Sequence, residues 1–308
     1  MNKFIKYSFC FALPLIIGFF SIEHLIRQVP NPYKYKYNWM QKNAENVETL
    51  IFGSSHTYFG IRPEYFTCKA FSLANPAQEL KFDLFLLNYW SDRYKKLKTV
   101  ICPISFFSFF GEGLENSSSS FRCRYYKIYM DCNLYSDFSI YNLELSNLAT
   151  AQTKIDRLFI EDDAPGCNKY GWGTHYKLSI KNIKEWNDGT EAEAAIKRHT
   201  AENWDYIEQN YSYLKDIAEF CRSRHIQLVL ITTPCWHTYY DHLNKEQLSK
   251  MYSLTHKLVN QYKFLYLDYL KDKRFVAEDF YDSNHLSDIG AIKFTKILDH
   301  DIKVGKKE

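Results

Sequence analysis

The sequence predicts an α/β chain: a doubly wound sheet of about five parallel strands, covered by helices on both faces and broken by one long insertion. Three observations carry that expectation. Short apolar runs recur along the chain, each bounded by polar or turn residues, as strands buried on both faces require. Segments with apolar residues three and four apart separate them, as helices require. With 308 residues and 46% apolar content, one large core is affordable in length and composition.

The first thirty residues stand apart. Lys3 and Lys6 precede an uncharged run from Tyr7 to Ile22. That run covers roughly 24 Å at the helical rise, close to the ~30 Å of a hydrocarbon core, and Leu25 and Ile26 extend it. No small-x-small cleavage pattern follows, so a retained anchor is expected over residues 1–29 in preference to a removed signal peptide. Positive charge ahead of the span predicts a cytoplasmic N-terminus, a single pass through the cell membrane and an exported body. Residues 30–47, "PNPYKYKYNWMQKNAENV", read as a polar linker with a short helix. Residues 48–308 form the predicted α/β domain.

Within it, the strands are "TLIFG" (49–53), "KAFSL" (69–73), "KTVICPI" (98–104), "IQLVLIT" (226–232) and "FLYLD" (264–268). Helical spacing covers 76–97, 203–225, 246–262 and 287–302. Residues 111–200 interrupt the alternation with "ENSSSS", Tyr-rich pieces and "PGCNKYGWGTHYKL", and an insertion of that length is usually functional.

Charge and cysteine content narrow the function. A net charge of +3 with no basic stripe argues against nucleic acid as a partner. No C-x-x-C pair exists among the eight cysteines, which argues against a structural zinc site, and the acidic residues form no metal-ligand pattern. Cys123 and Cys132 are spaced to pair across a short loop in an oxidising compartment.

Two segments suggest chemistry. "GSSHTYFG" (53–60) follows the first strand, where a Ser is either a helix cap or a nucleophile. "FYDSNHLSDIGAIKF" (280–294) follows the last strand and sets Asp282 three residues before His285. An acid on one imidazole nitrogen fixes the tautomer and stabilises the imidazolium, leaving the other nitrogen to deprotonate a serine. In a sheet of this kind, ligands sit beyond the carboxyl ends of the strands, so the two loops can meet there. Ser55, His285 and Asp282 are therefore the expected nucleophile, base and orienting acid. His56 is expected to pack or hydrogen-bond.

These segments resemble the blocks of the SGNH/GDSL hydrolase superfamily. Gly53-Ser54-Ser55 with Gly60 is similar to "GDSxxxxG", with Ser54 in the usual Asp position, and "DSNH" is similar to the terminal "DxxH". The resemblance covers roughly 48–110 and 203–300 and implies a three-layer, flavodoxin-like fold. The family's second block, "NxG", appears here as Asn75-Pro76-Ala77. The N–H of Ala77 keeps that oxyanion donor. The Asn of the third block, "GxND", has no counterpart in "TVICPISFFSF", leaving Asn75 and Gln78 as candidates to replace it.

With its N-terminal anchor, the chain looks most similar to the exported, membrane-attached branch, which includes the D-alanine transfer protein of teichoic acid modification and proteins of alginate acetylation. The resemblance implies acyl transfer to, or removal from, a cell-envelope glycan, without metal or organic cofactor, beside a membrane-bound O-acyltransferase. The alternative is a glycan-binding or scaffold subunit with a vestigial triad. Trp236 and His237, after the fourth strand, are candidate walls for the acyl or sugar pocket, or parts of a plain loop. Trp172 is a candidate sugar-stacking residue, or a packing residue of the insertion.

Overall fold

The structure, a computed structural model, describes residues 2–160, 164–180 and 186–305. The two short stretches of the insertion at 161–163 and 181–185, and the two chain ends, lie outside the described residues. Five parallel strands form one sheet: β1 (Thr49–Ile51), β2 (Ala70–Ser72), β3 (Thr99–Pro103), β4 (Gln227–Thr232) and β5 (Leu265–Asp268). Their order is β2-β1-β3-β4-β5. Each strand falls inside its predicted run.

Side chains alternate across a strand, so each apolar run feeds two cores. Leu50, Val100, Cys102, Leu228 and Leu230 face one of them, which is covered by α4 (Leu80–Tyr89), α8 (Ile207–Ser223) and α10 (Lys245–Tyr262). Ile51, Ile101, Val229 and Ile231 face the other, where Phe294, Leu298 and Ile302 of α11 (Asp288–Gly305) pack. β1 to β4 are buried on both faces, which is why they read as continuous apolar runs, while β5 at the sheet edge is partly exposed. The expected three-layer α/β class is the one observed.

The chain begins with α1 (Asn2–Ile26), followed by α2 (Pro32–Asn43). α1 is long and apolar enough over Lys3–Ile26 to cross a membrane, and its large apolar side chains are mostly exposed. The short helix expected within 30–47 is α2, and the segment packs against the body. Asn31 caps α2 by accepting the Lys34 N–H at 3.0 Å, and Pro32 fits the first turn, where no N–H is needed. Tyr33, Met40, Ala44 and Val47 are buried in the main core. Polar composition hid this, because Lys36 is itself buried and its ammonium donates to the Ala74 carbonyl. Burial pulls that lysine down to about 7.

The predicted helix at 76–97 begins later, at Leu80. Ala77 holds a left-handed backbone, φ 58°, and the turn it makes delays the helix. The Cys123–Cys132 pairing does not form: both are free thiols packed in the main core. The insertion carries α5 (Cys123–Tyr129), α6 (Leu148–Phe159) and α7 (Thr190–His199). α9 (His237–Tyr240) follows β4.

Candidate active site

At the end of β1 the chain turns through Gly53 into α3 (Ser55–Gly60). Gly53 has φ 105°, and a Cβ there would run into the Pro103 ring at the end of β3. Only glycine satisfies both conditions. The Thr57 hydroxyl donates to Phe52 O at 2.7 Å and holds the turn closed. The Thr57 and Tyr58 N–H groups donate to Ser54 O and start the helix.

Ser55 then faces the loop after β5. Its Oγ lies 2.8 Å from His285 Nε2. His285 Nδ1 lies 2.9 and 3.0 Å from the two Asp282 oxygens. Asp282 Oδ1 also accepts the backbone N–H groups of Asn284 (3.0 Å) and His285 (2.8 Å), so this short turn carries its own orientation. With Nδ1–H donating to the carboxylate, Nε2 is left to accept the serine proton. Ser54 borders the same cavity as Ser55 but makes no hydrogen bond to His285. It is buried and its Oγ has no hydrogen-bond partner.

The two loops meet because of topology. β5 is at the sheet edge and β1 is second from the other edge, so the β5 loop must cross the ends of β4 and β3. Two contacts carry it there. The Trp236 N–H after β4 donates to Ser283 O at 2.8 Å, and Asn284 Nδ2 lies 3.1 Å from His56 Nε2. His56 Nδ1 pairs with Ser105 Oγ at 2.9 Å. Burial, then the neighbouring His285, hold His56 well below the ordinary histidine value. It is a neutral strut between β1, β3 and the β5 loop.

Tyr176, from the insertion, stacks between Phe59 (3.7 Å between centroids) and Tyr281 (4.1 Å). Its ring sits edge-on to His285 at 5.1 Å. This aromatic wall packs against the imidazole and borders the same cavity as Ser55.

Ser55 and His285 open onto a cavity of about 460 Å³. Ala77 and Gln78 line it, as do Ser117, Arg122 and His199 of the insertion. Among the described residues, neither the Ser55 nor the Ala77 N–H has a hydrogen-bond partner, and both residues line the cavity. Alanine in the left-handed region costs roughly 1–2 kcal/mol. Ala77→Gly is therefore expected to stabilise the fold by about 1 kcal/mol while keeping that N–H, as read by the thermal midpoint.

Several expected site residues lie elsewhere. Asn75 is fully buried, does not border the cavity, and commits its Nδ2 to Leu73 O (3.3 Å) and Gln78 Oε1 (3.0 Å). It has no hydrogen left for an oxyanion. Gln78 does border the cavity, with Nε2 donating to Asp83 Oδ1 at 2.6 Å and one hydrogen remaining. Trp172 is buried, donates to Phe59 O at 2.6 Å and lies under the Arg62 guanidinium. It packs the insertion onto α3 and does not reach the cavity. Trp236 packs on Phe280 and donates to Asn187, and His237 points to solvent. Neither borders the cavity.

Asp83 was not singled out in the sequence. Its Oδ1 accepts both the Gly53 N–H (3.0 Å) and Gln78 Nε2, tying the nucleophile turn to the Ala77 loop. One signal was available: a carboxylate on the apolar face of α4, three after Leu80 and four before Leu87.

Burial pushes Asp83 up to about 7 from an ordinary 3.8. Between those values the folded state keeps a proton the unfolded chain has lost. Its contribution to stability is therefore full below pH 3.8 and is lost as pH rises through 7. Replacement by a neutral amide removes that slope. The stability of the wild type relative to Asp83→Asn should fall across this window, as measured by urea unfolding at a series of pH values. A constant difference would mean the carboxyl titrates normally.

No family model matches the chain, and no curated protein matches it. Among solved structures, one match is a Bacteroides fragilis protein provisionally named an acylhydrolase. It has a TM-score of 0.39 and 9% identity, and covers 92% of this chain and 94% of that one. A likeness so distant carries no argument about activity.

Proposed function

We propose that the protein is a serine-dependent O-acyl esterase or O-acyltransferase of the SGNH type, working through an acyl-serine intermediate on cell-envelope glycans outside the cytoplasmic membrane. One observation carries the reading: Ser55 Oγ, His285 Nε2 and the Asp282 carboxylate form an unbroken hydrogen-bonded line opening onto a cavity.

The chemistry follows from that line. His285 Nε2 takes the proton as Ser55 Oγ attacks an ester carbonyl, and Asp282 stabilises the imidazolium. The Ser55 and Ala77 N–H groups receive the developing oxyanion. The imidazolium returns its proton to the leaving alkoxide, giving the acyl-serine. His285 then takes a proton from water or a sugar hydroxyl as its oxygen attacks the acyl carbon, and the imidazolium returns that proton to Ser55 Oγ as the acyl–serine bond breaks, leaving free acid or an acylated sugar.

Transfer to a sugar needs a positioned acceptor and excluded water. The insertion supplies the serine hydroxyls of 117–119 and the Tyr176 wall to the same cavity, which favours that outcome. α1 would hold the enzyme in the membrane, near a membrane-bound O-acyltransferase as acyl source. A second reading, a glycan-binding or scaffold subunit with an inert triad, is favoured by the absence of a third-block Asn at the end of β3.

Intact-protein mass spectrometry after a fluorophosphonate separates the two. The enzyme reading expects one adduct, on Ser55. An unlabelled but folded protein would support the scaffold. With an acyl ester and glycan acceptors, acylated glycan indicates transfer, and free acid alone indicates an esterase.

A further inference from the structure

The insertion exposes an unusual set of large apolar side chains. Phe138 is fully exposed, Phe159 is 83% exposed, and Ile140, Leu148 and Ile160 are exposed as well. Leu148 and Phe159 are eleven apart on α6, three helical turns, so they share a face. Contiguous exposed apolar surface on a folded body marks a contact with a partner or a membrane.

The position of the patch identifies its occupant. It surrounds the point where α1 joins the body. The Glu23 carboxylate accepts the N–H groups of Glu144 and Leu145, both at 2.9 Å, one oxygen to each. Arg27 donates to Asn142 O at 2.6 Å, and Arg157 to Pro30 O at 2.9 Å. Segment 138–160 is thus bolted to residues 23–30 from both sides.

The apolar stretch of α1 ends at Ile22, and Glu23 is its first acidic residue. If α1 crosses a bilayer, ~30 Å of hydrocarbon is used up near that position. The level of Glu23 and Arg27 is then the headgroup boundary, and residues 142–145, bonded to them within the same segment as the patch, sit at that boundary. An amphipathic helix with one apolar face is suited to that boundary, with the face sunk ~5–10 Å.

We propose that residues 138–160 form an interfacial seat, dipping Phe138, Ile140, Leu148, Phe159 and Ile160 into the bilayer that α1 crosses. The inference rests on α1 being a membrane span. The seat gives the active site a fixed orientation. Arg124 Nη1 donates to Glu144 O at 2.9 Å, and Arg122, two residues earlier, lines the cavity. The cavity mouth is held at a set height above the lipid, where an acyl donor presented at the membrane surface can reach it.

The test uses the full chain in lipid vesicles with the accessible cysteines removed (Cys10→Ser, Cys68→Ser). Single spin labels go onto Phe138→Cys, Phe159→Cys and, as a control on α10, Ser253→Cys. Collision with oxygen, which concentrates in lipid, is compared with collision with a water-soluble nickel complex. Labels at 138 and 159 should favour oxygen and the label at 253 should favour nickel, an inversion of the accessibility ratio. Nickel preference at 138 and 159 overturns the seat. Shielding from both probes, in vesicles and in detergent alike, also overturns it, because protein then covers the patch. Carbonate extraction of the same vesicles tests α1 separately. A protein that stays in the pellet with nickel-accessible labels keeps its anchor and loses its seat. Circular dichroism of each variant confirms the fold, which fully or largely exposed positions should leave intact.

Discussion

Ser55→Ala is expected to abolish turnover of any acyl ester and to remove the fluorophosphonate adduct, with the thermal midpoint nearly unchanged. Removing the nucleophile of such a triad costs up to ~10⁶ in kcat. Among the described residues, no other serine is hydrogen-bonded to His285. Ser54 is buried, and its Oγ makes no hydrogen bond to a base. Ser105 is hydrogen-bonded to His56, whose pKa is already well depressed, so that pair is a poor nucleophile–base couple and is separated from Asp282. Stability should hold because the Ser55 side chain makes one hydrogen bond, to His285, at a cavity wall. Intact mass before and after labelling, beside a melting curve, reads both halves of the expectation. An adduct that survives Ser55→Ala and disappears in Ser54→Ala would move the nucleophile by one residue.

Asp282→Asn should lower kcat by about 10⁴, the loss such a change brings when the amide favours the wrong imidazole tautomer. The geometry makes this variant informative. Asp282 Oδ1 accepts two backbone N–H groups as well as facing Nδ1. An Asn oxygen can keep the two backbone bonds, so the turn should survive. Its NH₂ would then face Nδ1 as a donor, leaving the proton on Nε2, where it blocks deprotonation of Ser55. A large fall in kcat with a small change in melting temperature is the expected pattern. Unchanged kinetics would reduce Asp282 to a turn residue, and a collapse of both would make its role structural.

The departures between sequence reading and structure share a cause. Trp172, presented by a Gly-rich turn, was open to two readings, a sugar platform or a packing residue of the insertion. Its indole N–H finds Phe59 O, and Arg62 covers its face. Asn75 looked like a spare amide donor, but burial forces both of its hydrogens onto neighbours. Residues 30–47 read as a polar segment with a short helix because tyrosine and lysine count as polar, yet Tyr33 and Lys36 are buried. For Trp172, Lys36 and Asn75 alike, burial commits the polar group to a protein partner: Trp172 bonds a residue 113 positions back and Lys36 one 38 positions on, while Asn75 bonds residues two and three positions away.

The sequence by itself determined whatever repeats locally or sits at a strand end. The five strands follow from short apolar runs, four of them buried on both faces, and the surrounding helices from their three-to-four spacing. The apolar helix at the N-terminus follows from sixteen consecutive uncharged residues. The Gly53 turn and the Asp282–His285 turn are also local, because each is built within a few residues. Only the tertiary structure decided that these turns meet, since the strand order carries the loop after β5 back across β4 and β3. It alone brought Asp83 under the nucleophile turn, slid Tyr176 between Phe59 and Tyr281, and bolted the insertion to Glu23. The physical reason is that periodicity records which face of an element is buried, whereas a hydrogen bond or a stack between distant segments leaves no periodic trace in either one.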